Sequence, residues 1–461
     1  MEIEAKLTQG PVGRTLLGLS APMMGGILGA IGFNLADTYF VSLLGTTELA
    51  AMSFTFPVVM VFLGLAFGMS TGTIAVVSQA IGRGEMDQVK RLASDSLLLA
   101  FLVVLVAVGV GMLTIDPLFR LLGATPETLP LIRDYMRIWY PGMVCLVVPV
   151  VANAAIKATG DTKIPALIIV GGTVTNLILD PILIFGWFGF PALGLKGAAL
   201  ATMIGRAGTM VVSLLILHYR ERLLDFSPPS LKDVWRSWKA VGAIGVPATV
   251  TNLLEPMALG VITRLIAGYG PSAVAAWGAG SRITAFVLIP VFGVCSGLVP
   301  FIGQNWGAEL FDRVSKARSY GYLFAVSWGI FLIGVLHLVA EPAARLFSNE
   351  AGVIKEIVRY LWIMPIGYAA FGILSVTEET LNAIGKPVIA FVQALVYMFV
   401  FYVPLGIAGA QMQAFTGLLW GLTAAEVLGG LVGLGLVRMM CRRGERACLE
   451  GKADLAEVPA G

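Results

Sequence analysis

The sequence predicts an all-α integral membrane protein: twelve transmembrane helices arranged as two parallel six-helix repeats. Three observations carry this expectation. Of 461 residues, 57% are hydrophobic and 13% charged, and the mean hydropathy is +0.86. Soluble domains carry roughly 25% charged residues. That much apolar surface excludes both a soluble globule and a disordered chain. Lysines and arginines crowd alternate connections between apolar stretches. The two halves of the chain also match at a constant spacing.

A helical span needs ~20 residues. Apolar stretches between charged or Gly/Pro-marked turns predict helices at 16–44, 48–81, 88–114, 129–158, 164–187 and 194–218 in the first half. The second half gives 240–268, 272–305, 315–340, 352–384, 387–409 and 415–439. Several are longer than a span requires, so tilt, bending or protrusion is expected. The segments 16–218 and 240–439 are then two six-helix lobes. They are joined by a loop at 219–239 containing Pro228 and Pro229, and flanked by termini at 1–15 and 440–461.

Basic residues orient the bundle, because cytoplasmic connections carry the excess of Lys and Arg. The rich connections hold Lys6 and Arg14; Arg83, Lys90 and Arg91; Lys157 and Lys163; and Arg220, Arg222, Lys232, Arg236 and Lys239. They continue with Arg313, Lys316 and Arg318, then Lys386, then Arg438, Arg442, Arg443, Arg446 and Lys452. The opposite connections hold Arg120, Lys196, Arg345 and Lys355. Both termini are therefore expected in the cytoplasm, in a bacterial or archaeal cytoplasmic membrane. The N-terminal MEIEAKLTQGPVG has no basic region before an apolar core and does not read as a cleaved signal.

The repeat pairs Pro22 with Pro247, Gly45 with Gly270, Gln79 with Gln304, Gly82 with Gly307, Tyr135 with Tyr360 and Gly160 with Gly385. After a two-residue deletion Pro181 pairs with Pro404, and Glu426 is set against Thr202. Two parallel halves around a central cavity are a transporter design, with substrate held near the midplane.

Ionisable groups inside the bilayer cost ~2.5–3.5 kcal/mol at mid-helix on insertion scales, so each requires a reason. Asp37 and Asp180 each lie about seven residues before the outer end of an outward-running helix. Thr202 reaches a similar depth on an inward-running one. Asn176 is one turn before Asp180 and shares its face. Two carboxylates, an amide and a hydroxyl at one depth suit a proton or a small hard cation such as sodium. Asp37 pairs with Ile262 and Asp180 with Val403, so these acids were not duplicated with the scaffold. The second half has its own acids: Glu255, which precedes Pro256, Glu378 and Glu379, and Glu426. Of these, Glu255, Glu378 and Glu426 form a candidate second-lobe cation site. Pro22, in the helix of Asp37, is a candidate hinge.

The chain resembles multidrug and toxic compound extrusion (MATE) transporters, most of all the DinF-like branch, from about residue 10 to 440. The resemblance rests on APMMGGILGAIGFNLADTYFVSLLG at 21–45, SQAIGRGE at 78–85, KATGDTKIPA at 157–166, TNLILDPILIFG at 175–186 and GAALAT at 197–202. It implies a V-shaped pair of lobes that exports amphipathic, often cationic drugs against inward proton or sodium flow. It places the N-lobe cation site at Asp37, Asn176, Asp180 and Thr202, and adds Tyr135 and Asn153 from the fourth helix. Glu255 resembles the helix 7 acid of the NorM-like branch.

The alternative within the superfamily is a flippase for lipid-linked oligosaccharides or peptidoglycan precursors, which would line its cavity with basic residues. Here Arg137, Arg206, Arg264 and Arg282 are the sparse candidates. An enzyme is not expected: the chain has no HExxH or GxSxG motif, and its only histidines are His218 and His337. Cys145 and Cys295 sit in apolar runs, and Cys441 and Cys448 in the basic tail, so no disulfide framework is expected. No cofactor beyond the coupling ion and no nucleic acid is expected. The partners are small-molecule drugs and the lipid bilayer, around a monomer.

Overall fold

The computed structural model describes residues 5–456 apart from 226, 228 and 229, with side chains to residue 439 except at 46 and 49. Pro228 and Pro229, and the side chains of Cys441, Cys448 and the basic tail, lie outside the described residues. All regular structure among the described residues is helical.

The N-lobe comprises α1 (Val12–Ser42), α2 (Thr46–Arg83), α3 (Met86–Leu121), α4 (Thr128–Gly142), α5 (Val144–Ala158), α6 (Lys163–Phe185) and α7 (Leu195–Leu215). The C-lobe comprises α8 (Leu231–Ala267), α9 (Pro271–Val287), α10 (Ile289–Gly307), α11 (Phe311–Arg345), α12 (Ala351–Ile363), α13 (Pro365–Ala383), α14 (Pro387–Leu395) and α15 (Val403–Ala456). A π-helical turn follows α7 at Ile216–Arg220, and another joins α14 to α15 at Val396–Tyr402.

Twelve spans emerge once bends are separated from breaks. The pairs α9–α10 and α12–α13 bend by 45° and 49° and each make one span. Pro290 and Pro365 open the second helix of each pair, where a missing N–H and the ring's bulk disrupt the preceding turn. In the same way α4 and α5, which meet at Met143, form one span. Conversely, the long stretch from Pro387 holds two spans. Gln413 and Ala414 leave helical geometry, and the chain doubles back so that Gly409 faces Gly417 and Leu405 faces Gly421.

Two boundaries differ from the sequence expectation. The seventh span starts at Leu231 rather than 240, so the inter-lobe connection is much shorter than 219–239. The last helix runs on to Ala456 instead of ending at 439. Both extensions are charged helix formers beyond the apolar stretch, which a reading keyed to hydrophobicity does not count.

Each lobe has its own apolar core. That of the N-lobe runs from Val41 to Leu224 and includes Phe119, Met136 and Tyr140; that of the C-lobe includes Phe301, Tyr360 and Leu418. Leu7 and the first turns of α1, through Val12, Leu16 and Leu19, join the C-lobe core and thereby tie the lobes together.

Among the described residues, the close contacts between the lobes gather in one half of their length. Gly72 packs on Val241 and Gly245, Gly68 on Gly245 and Thr249, and Gly64 on Leu253; on the other side Ser20 meets Gly297 and Met24 meets Gly293. All these contacts lie in the half nearer Arg83, Lys157 and Arg313, called here the basic end. Toward the far end the lobes diverge into a V.

The basic end is closed by a reciprocal clasp. Gln79 donates to the Ala383 carbonyl across the lobe boundary at 2.7 Å, and its repeat mate Gln304 donates to the Ala158 carbonyl at 2.7 Å. Gly82 lies against the Gln304 carbonyl and Gly307 against that of Gln79, where any Cβ would collide. Leu7 reinforces one side, donating its N–H to Gln304 at 3.1 Å while its carbonyl accepts from Asn305 and Arg313.

Candidate cation site

Four of the predicted site residues come together in the N-lobe. Asp37 faces inward from α1 and is 7% exposed; Asp180, from α6, is fully buried. Asn176 lies one turn before Asp180, as the spacing requires. Its amide donates to Asp180 Oδ2 at 2.7 Å, and its oxygen accepts the Thr202 backbone N–H at 3.2 Å. Thr202 is thus drawn in through its backbone as well as by depth. The hairpin between α6 and α7 makes this possible: Gly197 packs directly on the Leu183 carbonyl, bringing the two helices to backbone contact. Asp37 Oδ1 has no hydrogen-bond partner among the described residues. A buried carboxylate oxygen left open in this way is a place for a proton or a cation.

Tyr135, from α4, is buried and lies within electrostatic reach of both Asp37 and Asp180. Asn153 does not join the group. It accepts a hydrogen bond from Ser213 at 3.2 Å. Ser213 is eleven residues beyond Thr202 on α7, or ~16 Å along the axis. The two residues expected from the fourth span are separated because α4 and α5 together make that span and extend to opposite ends of it.

Arg206, which the sequence offers only as one of four sparse basic residues, joins the group. Its guanidinium lies 6.0 Å from the Trp139 ring centre and 3.9 Å from Met143 Sδ, and it interacts electrostatically with Asp37 and Tyr135. It sits one turn after Thr202, so i,i+4 spacing alone could have placed it on this face. Pro22 lies within an α1 that runs without interruption from Val12 to Ser42.

The second-lobe acids separate into two places. Glu255, Glu378 and Glu379 line one cavity of about 240 Å³ together with Asn252, Cys295 and Tyr397. Lys157 of the N-lobe is within electrostatic reach of Glu379. Glu426 does not line this cavity, although Tyr397 and Tyr402 lie within electrostatic reach of both it and Glu255. Glu426 is 5% exposed and packed against Gly367, with Oε2 unpartnered among the described residues. Tyr360, Tyr368, Tyr397 and Tyr402 surround it electrostatically. Tyr360 and Tyr368 both hydrogen-bond Thr284.

The packing also corrects its register. Gly142 faces Met203 as its repeat mate Gly367 faces Glu426, so Glu426 corresponds to Met203 and not to Thr202. The two-residue deletion before Pro404 thus carries through the turn into the last span.

Comparison with known proteins agrees with this architecture. The family model described as MatE matches residues 22–182 and 247–408, one stretch in each lobe. The FAD transporter of Shewanella oneidensis is 37% identical over 435 residues, covering 94% of this chain and 96% of that protein. The multidrug export protein MepA of Staphylococcus saprophyticus is 27% identical, with 92% and 93% covered. The crystal structure of the Vibrio cholerae MATE transporter VcmN in the bent form superposes with a TM-score of 0.90 at 29% identity, covering 94% and 98%. An outward-facing multidrug resistance MATE family transporter shares the fold at a TM-score of 0.89.

Proposed function

The chain belongs to the MatE family, and from that premise we propose that it is a secondary exporter of amphipathic compounds, driven by cation entry at the N-lobe acid cluster. The observation that carries this reading is the open, buried oxygen of Asp37 beside the Asp180–Asn176 pair. With both carboxylates ionised and Arg206 charged, the cluster has one net negative charge. A single proton or sodium ion brings it to neutrality in a medium where uncompensated charge is costly. Protons are the first choice of coupling ion, with sodium the alternative.

In this cycle the cluster takes up its cation from the far end, where the V is open. Neutralising the acids removes the reason for Arg206 and Tyr135 to hold their places around them. Substrate affinity falls, and substrate leaves to the outside. The cation departs toward the basic end once the lobes tilt the other way. The equilibrium between the two tilts moves only as far as the cation's difference in affinity for them allows. The distribution of Lys and Arg supports a cytoplasmic position for the basic end and both termini.

Export of cationic drugs is the first substrate reading, supported by relatives named multidrug export proteins. Flavin dinucleotide is the second, supported by the relative named FAD transporter at 37% identity over most of the chain. The test is transport in proteoliposomes with ethidium and FAD as probes, imposing a proton gradient and a sodium gradient separately. Proton coupling requires export that persists without sodium and collapses with a protonophore. Export that needs sodium at clamped pH would reassign the ion; no export under either gradient would end the reading.

A further inference from the structure

Arg282 is exposed, and it lies eleven residues along α9 from Pro271. That is ~16 Å along the helix axis from its far end, well inside a ~30 Å hydrocarbon layer. Its one hydrogen bond is a long one, 3.4 Å, to the carbonyl of Gly278 on its own helix. It forms no ion pair among the described residues. The inner face of α9, through Ala273, Ala276, Trp277 and Gly280, is packed into the C-lobe, and Arg282 is on the other side. A guanidinium facing lipid at that depth is strongly disfavoured, so this face borders the water-filled V.

The opposite wall can be located from the packing below. Ser20 meets Gly297 and Met24 meets Gly293, so each residue gained along α1 is one lost along the facing helix. Carrying that pairing upward sets Arg282 level with Leu35. A 45° bend separates α9 from α10; among the described residues α10 packs closely on α1 whereas α9 hardly touches it, which leaves a space between α9 and α1 at this height. Asn34 and Thr38, exposed on α1, flank that level, and each uses its side chain to bond its own helix, at 2.9 Å and 2.8 Å. The gap is therefore faced by an unpaired cation on one side and neutral polar groups on the other.

We propose that Arg282 is an anion subsite of the cleft, which holds the phosphate of an amphipathic substrate between α9 and α1. A planar guanidinium with free N–H groups matches phosphate oxygens two at a time. The level of Asp37 is two residues away on the same α1 wall, so a phosphate held here lies at the depth of the cation cluster. This deepens the second substrate reading, since it supplies a group that a flavin dinucleotide needs and a cationic dye does not.

The test uses the full-length protein in phosphatidylcholine liposomes, with FAD as probe and riboflavin, the same ring system without phosphate, as reference. Wild type should bind FAD more tightly than riboflavin. Arg282→Gln should lower the FAD-to-riboflavin affinity ratio about tenfold or more, with Arg282→Lys intermediate. Pyrophosphate should compete with FAD on wild type and not on Arg282→Gln. An unchanged ratio in Arg282→Gln overturns the proposal, as does wild type that binds riboflavin as well as FAD. Liposomes containing phosphatidylglycerol separate the other source of phosphate. If wild type retains that lipid, Arg282→Gln loses it and FAD binding is indifferent to the substitution, the arginine serves a headgroup and the substrate assignment falls. Ethidium export by wild type is scored independently, so failure of the exporter reading is seen apart from failure of this one.

Discussion

The two lobes share a scaffold and differ in where they keep their charge. Gln79 and Gln304 clasp across the boundary with the same 2.7 Å geometry, and Gly82 and Gly307 pack against each other's partners. At the cation cluster the resemblance stops. Asp37 and Asp180 have apolar counterparts, while the C-lobe places Glu255, Glu378 and Glu379 around a cavity and buries Glu426 among tyrosines. Surfaces that must fit each other across the boundary stayed symmetric, because a change on one side clashes with the other. Interior positions of a single lobe answer only to their own neighbours and were free to diverge.

The largest expected effect tests that divergence. Asp37→Asn removes a carboxylate with an open oxygen and should abolish export while leaving expression and monodispersity intact; proteoliposome flux measures it. Full export by a well-folded variant would end the case for a specialised N-lobe. Arg206→Gln comes next. Without the guanidinium the ionised cluster carries two net negative charges, so it should hold cations more tightly and release them more slowly. An export rate about tenfold lower with tighter cation binding is expected, and an unchanged rate would show that Arg206 does not act on the acids.

The symmetric interface gives smaller, paired effects. Gly82→Val and Gly307→Val should each destabilise the closed basic end by about 1–3 kcal/mol through overpacking, read as a lower melting temperature in detergent. Markedly unequal losses would show that the clasp is not reciprocal in energy. Gln304→Ala should cost more than Gln79→Ala, because Gln304 also accepts the Leu7 N–H. The difference is about one hydrogen bond, roughly 0.5–1.5 kcal/mol. Smallest of all, Glu255→Gln should retain most of the export activity. A loss as complete as that of Asp37→Asn would move the coupling site to the C-lobe cavity.

How much was legible beforehand depends on how local the signal was. Asn176 and Asp180 were readable as a pair because four residues make one helical turn, and their hydrogen bond follows from that. Arg206 has the same one-turn spacing from Thr202, so its place on this face was equally local. Asn153 could not be placed from sequence, since two residues of one long span can serve different ends of it. Glu255 and Glu378 could be grouped from sequence only as acids of the same half; that α8 and α13 bring them, with Glu379, to one cavity is a matter of tertiary packing.

By itself the sequence determined the membrane setting, the twelve spans, the two parallel repeats and the shared depth of Asp37, Asp180 and Thr202. These follow from hydropathy, the 1.5 Å rise of a helix and the cost of a charge in lipid, all properties of short stretches of chain. The tertiary structure alone decided which side chains converge. It brought Glu255, Glu378 and Glu379 to one cavity and left Glu426 outside its lining, set the α9 bend that leaves Arg282 facing the opening, and closed the basic end with Gln79 and Gln304. Those outcomes depend on the rotation of each helix about its axis and on crossing points between distant segments. Those are set by how whole surfaces pack, and no local pattern encodes them.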